Sequence, residues 1–197
     1  FIGGGLAGGV GQPRVAILLH CAAMKDPINF SRMDVLALAR QGGAAEGACS
    51  EPSSTMTRLL AEACVPNGLQ GVHWQLKAEL REGAAGEQEP WLQVQADASL
   101  ALICQRCLER VDVPLAVNRW FRFVADEATA SAQDDMSEED VLVLEPRFDA
   151  LTLIEDELIM AVPLVPLHGE CPVAVTMSVA DSAFEAAATE RPHPFAG

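Results

Sequence analysis

The chain has 197 residues and a formal net charge of −15, from 13 Lys and Arg against 28 Asp and Glu. Half of the residues are hydrophobic, which excludes a wholly disordered chain, and no apolar run reaches the roughly 18 residues that predict a transmembrane helix. The acidic balance argues against a protein that coats DNA or RNA through bulk positive charge. It favours a basic partner or simple solubility.

Residues 1–23 differ in composition from the rest of the chain, because Arg14 is their single charged residue. Six of the 15 glycines lie there: Gly3, Gly4, Gly5, Gly8, Gly9 and Gly11. Their spacing matches the letters of a dinucleotide-binding loop, but no strand can precede them and Pro13 interrupts the helix that should follow. We expect translation to begin at Met24, with residues 1–23 as a non-native or upstream extension.

Two short helices are predicted next. Ser31 to Asp34 resembles a capping box before a helix over 35–39, which Gly42 and Gly43 end. A loop of small residues is expected to follow as far as Ser54. Thr55 then opens a second helix that ends at Pro66.

Three runs with period-two alternation of apolar and polar residues follow, over 72–81, 92–102 and 111–123. Such alternation is typical of antiparallel strands with one buried face and one wet face. Pro114 cannot donate a backbone hydrogen bond, so its strand should lie at an edge or carry a bulge.

The remaining elements complete an α+β domain over residues 24–172. Residues 125–140 are predicted as a solvated acidic loop, and 141–144 as a fourth strand. Asp149 should cap an apolar helix that ends at Pro163. The prediction is an antiparallel sheet of three to five strands, with two short N-terminal helices and one apolar helix after the sheet. Residues 173–197 form an Ala-rich tail.

The clearest chemical motif is a pair of cysteines, Cys104 and Cys107, in the turn between two predicted strands. Together with His168 and Cys171 they would form a closed Cys3His site for a structural zinc ion. The spacing of about sixty residues is long for such a site. Two other interpretations stay open: a redox pair, although a strand rather than a helix follows the cysteines, and reduced cysteines that only pack.

The other thiols have no spacing typical of disulfides, which favours a reduced, cytoplasmic protein. They are Cys21, Cys49 and Cys64.

Two groups of charged residues are candidate contact sites. Glu155, Asp156 and Glu157 lie within the apolar helix, where they are either solvated or a docking face for a basic partner. Paired carboxylates can also do acid–base work or bind magnesium. The second group could contact RNA, or could pair with the acidic loop: Arg106, Arg110, Arg119 and Arg122.

The motifs together resemble the YceD family of large ribosomal RNA subunit accumulation proteins. Cys104-Gln-Arg-Cys-Leu between two strands, the run from Ile154 to His168 with a following Cys, and the ending Arg191-Pro-His-Pro-Phe-Ala carry the resemblance, with Asp26-Pro27 near the start. It covers about residues 24–196. It implies a cytoplasmic factor for synthesis, processing or stability of large-subunit (23S) ribosomal RNA, and brings no catalytic residues with it.

Charge and resemblance together predict a non-enzymatic factor that contacts basic ribosomal or assembly proteins. No Ser/His/Asp grouping or phosphate-binding loop indicates an enzyme. The first alternative is direct binding of a large-subunit ribosomal RNA precursor by the four arginines. The weaker alternative is a metal-dependent RNA-processing enzyme. Neither a membrane nor DNA is an expected partner.

Overall fold

The computed structural model of the protein describes residues 28–49, 55–83, 86–174, 181 and 183. A five-stranded sheet in the order β1-β2-β3-β4-β5 forms its centre. The strands are Ala44–Cys49 (β1), Leu69–Glu82 (β2), Gln88–Ile103 (β3), Arg110–Val124 (β4) and Asp140–Val143 (β5). Neighbours from β1 to β4 run antiparallel, and β5 runs parallel to β4. The predicted α+β class is confirmed; the predictions for residues 1–23 and for most of the tail 173–197 lie outside the described residues.

Four α-helices in the described part of the chain accompany the sheet. They are Val35–Arg40 (α1), Thr57–Ala61 (α2), Glu127–Asp134 (α3) and Ala150–Met160 (α4), and a 3-10 turn at Phe30–Arg32 precedes α1. The Asp149 carboxylate caps α4 as predicted, by accepting a hydrogen bond from the amide of Thr152 at 3.1 Å. Among the described residues, no helix has the length and apolarity needed to cross a membrane.

The alternating residues of the long strands divide the sheet into two faces. On β2, the side chains of Val72, Trp74, Leu76 and Ala78 are buried under α1, whereas His73, Gln75 and Lys77 are exposed on the opposite face. Helix α4 packs on the same buried face, against β3, β4 and α2. The fold therefore has a helical layer on one side of the sheet and a largely open polar surface on the other.

Two strand irregularities have local causes. The register of β2 against β3 shifts between Gln70 and His73, where Gly71 adopts a φ of +62° that suits a bulge. The prediction that the strand of Pro114 lies at an edge or carries a bulge was wrong, because β4 lies between β3 and β5 and keeps one register along β3. Pro114 is tolerated on the β5 side because β5 pairs only with residues 121–124, so the missing amide hydrogen removes no hydrogen bond to β5.

Three other local predictions were wrong. The expected loop of small residues contains β1, whose small side chains lie in register along β2. The predicted acidic loop instead begins with α3, which the carboxylate of Asp126 caps by accepting from the amide of Thr129 at 2.9 Å. Asp34 rather than Ser31 caps α1, through the amide of Ala37 at 2.8 Å.

Candidate metal centre

The hairpin between β3 and β4 holds two cysteines in a tight turn. The amide of Cys104 donates to the carbonyl of Glu109 at 2.9 Å, and the amide of Leu108 donates to the carbonyl of Cys104 at 2.9 Å. Leu108 closes the turn with a φ of +62°. This geometry directs both thiols toward the same side, where the chain that follows α4 arrives.

The segment after α4 is tied to this hairpin by hydrogen bonds. The amide of Gln105 donates to the carbonyl of Pro166 at 2.9 Å. The guanidinium of Arg106 donates to the carbonyl of His168 at 2.7 Å and to the sulfur of Cys171 at 3.0 Å. Arg106 is therefore a positioning residue for the second half of the site.

All four predicted ligands come together. The candidate ligand atoms of Cys104, Cys107, His168 and Cys171 all lie within 4.8 Å of one another. The sulfur of Cys107 is 3.3 Å from Nδ1 of His168, and the amide of His168 donates to the sulfur of Cys104 at 3.4 Å. Cys104 is fully buried and the other three are partly buried.

The electrostatics of the cluster favour a thiolate at Cys104. Burial opposes its ionisation, but the backbone amides of Cys107, His168 and Arg106 outweigh that effect and lower the pKa of Cys104 to about 5. Burial and the neighbouring sulfurs of Cys104 and Cys171 raise the pKa of Cys107. A bound cation would offset the cost of ionising further thiols in the cluster.

The donor set fits a tetrahedral metal ion. Ligand atoms around a four-coordinate zinc, at about 2.3 Å for sulfur, lie roughly 3.8 Å apart, which is compatible with the separations found here. Three sulfurs and one imidazole are typical of zinc and unlike the oxygen ligands of magnesium or calcium. Four protein ligands would close the coordination sphere, as in structural rather than catalytic sites.

The acidic run in α4 is not a solvated face. Glu155 and Glu157 are buried, and Asp156 is about half-exposed. Glu155 accepts from the backbone amides of Arg58 at 2.7 Å and Leu59 at 3.1 Å, and from the guanidinium of Arg58. Arg58 pairs with Asp156 as well. The solvated interpretation is therefore wrong for Glu155 and Glu157, which hold α4 to neighbouring elements.

The four arginines do not form one basic surface. Arg119 and Arg122 are separated by an odd number of positions on β4 and so face opposite sides of the sheet. Arg119 pairs with Glu157 at 3.1 Å and with Asp140 at 2.8 Å. Arg122 contacts Glu89 at 3.4 Å and the hydroxyl of Ser137 at 2.7 Å.

The other two arginines of the group also have partners within the chain. Arg110 pairs with Asp112 at 2.7 Å on the same strand, and Arg106 binds the chain around His168. Each arginine thus has a structural contact, and only Arg119 and Arg122 pair with the segment that was predicted as an acidic loop.

One structural residue was missed in the sequence. Arg58 lies 97 positions before Glu155, and its charge stands in a short helix with no motif around it. No local pattern could identify it as the partner of the acidic run. The Asp149 cap and the buried stripe of Ile154 and Leu158 could at most indicate that Glu155 borders the core.

Comparisons with known proteins bear on the second half of the chain. Residues 92–197 match the family model described as "Large ribosomal RNA subunit accumulation protein YceD". The match includes the hairpin with Cys104 and Cys107, all of α4, and the segment with His168 and Cys171. No curated protein and no solved structure matches the chain.

Proposed function

The chain belongs to the YceD family, and from this premise we propose that it is a non-enzymatic factor of ribosome biogenesis. The family description supports a role in the accumulation of large-subunit ribosomal RNA. In our proposal the protein acts in the cytoplasm. It supports synthesis, processing or stability of that RNA through contacts with basic ribosomal or assembly proteins.

The net charge of the chain favours a protein partner over RNA. At −15, the protein is repelled by phosphates unless a local basic surface overcomes the repulsion. The four candidate arginines have acceptors within the chain and lie on different faces. Basic ribosomal proteins are attracted by the same charge that repels RNA.

We also propose that the Cys3His cluster binds a structural zinc ion. Bound there, zinc would stabilise the ligand thiolates and fix the β3–β4 hairpin to the segment after α4. The hydrogen bonds from Gln105 and Arg106 already hold these two parts in register. Because all four positions of the ion would be filled by protein, the site supports a structural role and gives no position for a metal-bound substrate.

Direct RNA binding is the alternative function, and it makes a specific structural demand. It would require the arginines on β4 to leave Glu157, Asp140 and Glu89. An RNA-processing enzyme has less support, because Glu155 and Glu157, the buried carboxylates of α4, are paired with Arg58 and Arg119.

The deciding experiment is affinity purification of the protein from its own cells, with and without RNase, read by mass spectrometry and RNA sequencing. Metal content is measured on the same sample. Large-subunit proteins that survive RNase support the proposal. Loss of every partner on RNase treatment would favour direct RNA binding instead. A sample without ribosomal material would contradict both the proposed function and the RNA-binding alternative.

A further inference from the structure

Exposed apolar residues flank the candidate metal ligands along the chain. Leu164 is completely exposed and Leu108 is 72% exposed. Together with four neighbours they form what we call the apolar rim: Ile103, Leu108, Leu164, Val165, Leu167 and Val173. Single exposed leucines are ordinary on protein surfaces, but here six exposed apolar residues all lie within four positions of a candidate metal ligand.

The two segments of the rim are joined at the candidate metal centre. Ile103 and Leu108 directly flank the cysteine pair, and Leu167 directly precedes His168. The hydrogen bond of 2.9 Å between the amide of Gln105 and the carbonyl of Pro166 places the segment after α4 beside the hairpin. The rim residues thus border one cluster, whose ligand atoms lie within 4.8 Å of one another.

Leu108 is an unfavourable residue for its position within the fold. Its φ of +62° is strained for a bulky side chain and is better suited to Gly or Asn. Its side chain is exposed and contributes little to the core, so packing within the fold does not compensate for the backbone strain. A contact outside the chain would account for a leucine here.

The segment of Leu164 and Val165 is also prepared for contact. Pro163 and Pro166 fix the backbone on both sides, so the two side chains are presented with little conformational freedom left to lose on binding. Strain at Leu108 and proline-fixed presentation at Leu164 are two independent observations on segments that the Gln105–Pro166 hydrogen bond joins.

We propose that the apolar rim is the docking surface for a basic protein of the large ribosomal subunit, one whose contact segment has apolar side chains ringed by lysine or arginine. This inference rests on the proposed function and locates its partner site. Glu109 and Glu170, both exposed, border the rim and supply the complementary charge. An RNA strand is disfavoured there, because the carboxylates of Glu109 and Glu170 would repel its phosphates and Arg106 donates to the carbonyl of His168.

The test compares two variants of the full chain with the wild type. Leu108→Asn combined with Leu164→Ser removes two rim side chains without adding charge. Met136→Ser is the matched control, since Met136 is 83% exposed and follows α3, away from the metal ligands. The immobilised proteins are offered RNA-free protein extracted from purified large subunits, and the retained proteins are quantified by mass spectrometry.

We expect the rim variant to bind at least about tenfold more weakly than the wild type, and the control to bind as the wild type does. Leu108→Asn alone should leave the free energy of unfolding unchanged or raised, which separates lost contact from lost folding. Equal retention by the rim variant would overturn the docking site while leaving the proposed function intact. A wild type that retains no large-subunit protein would instead contradict the proposed function itself.

A photocrosslinking amino acid at position 164 identifies what touches the rim. Crosslinks to a large-subunit protein support the proposal. Crosslinks confined to this chain, to a second copy of it or to RNA would overturn it.

Discussion

The buried carboxylate of Glu155 accepts a hydrogen bond from the backbone amide of Leu59, 96 positions earlier in the chain, at 3.1 Å. The same oxygen accepts from the amide of Arg58 at 2.7 Å. Glu155 on α4 thus satisfies two amides at the start of α2, which otherwise lacks a side-chain cap. A motif with the appearance of a solvated acidic surface is an internal support of the helical layer.

Replacing Glu155 by Gln should lower the free energy of unfolding by about 2 kcal/mol, because the charge that strengthens its bonds to the α2 amides is lost. Asp156→Asn is the control and should change it by less than about 1 kcal/mol, since that ion pair is exposed. Urea unfolding curves give both values. If Asp156→Asn were the more damaging change, our account of the acidic run would be wrong.

Metal removal should destabilise the protein. We expect about one zinc per chain in the purified protein, and a fall of about 10 °C in the melting temperature after treatment with a strong chelator. Cys107→Ser should lower the metal content and the melting temperature together. Elemental analysis and thermal unfolding on the same samples measure both quantities.

Cys64→Ser is the matched control for the metal experiment, because Cys64 is partly buried like Cys107 but lies outside the cluster. It should keep the full metal content. Equal metal content in Cys107→Ser and in the wild type, with no loss of stability, would rule out the zinc site.

Variants of the β4 arginines should distinguish a role in stability from a role in RNA binding. Arg119→Gln leaves the buried Glu157 without its partner, and should lower the free energy of unfolding by about 2 kcal/mol. Arg110→Gln loses only an exposed pair, and should change it by less than about 0.5 kcal/mol. We expect neither to alter retention of a large-subunit RNA precursor in filter binding. A similar loss of RNA affinity in both variants, with a shallower salt dependence, would instead indicate direct RNA contact.

Gly47→Ala should disturb the contact between β1 and β2. A methyl group there would lie 2.6 Å from ring atoms of Trp74, which is buried, so the ring must shift. We expect the free energy of unfolding to fall by about 1–3 kcal/mol. Gly169→Ala, which meets no atom within 4 Å, should change it by less than about 0.5 kcal/mol. Equal changes in the free energy of unfolding for the two variants would show that β1 shifts to accommodate the methyl group at little cost.

The sequence predicted those elements whose signal is local. Alternation identified β2, β3 and β4 because one side of each strand is buried and the other is wet. The cap at Asp149 placed the start of α4. The two halves of the Cys3His cluster could be proposed as a pair because cysteine and histidine are typical zinc ligands, but the spacing of about sixty residues left redox and packing roles open.

The rest depends on contacts that no local pattern contains. Five of the six residues of β1 are Ala, Glu or Gly, which have low strand propensity. We infer that it forms because β2 offers a free edge, where Gly47 leaves room for the ring of Trp74. The burial of Glu155 depends on Arg58, which is 97 positions away. The helix at Asp126 carried a capping signal, but its acidic composition suggested a loop.

The proposed metal centre also has a consequence for the order of folding. Its halves are separated along the chain, with Cys107 and His168 61 residues apart, so we expect its ligands to assemble after β4 and α4 have formed. Closing a loop of that length has an entropic cost that the packing of the intervening elements would offset. During synthesis from the N-terminus, Cys171 is the last of the four ligands to emerge. Metal binding would therefore be a late folding event. Only chains in which the helical layer has already packed on the sheet would bind the ion.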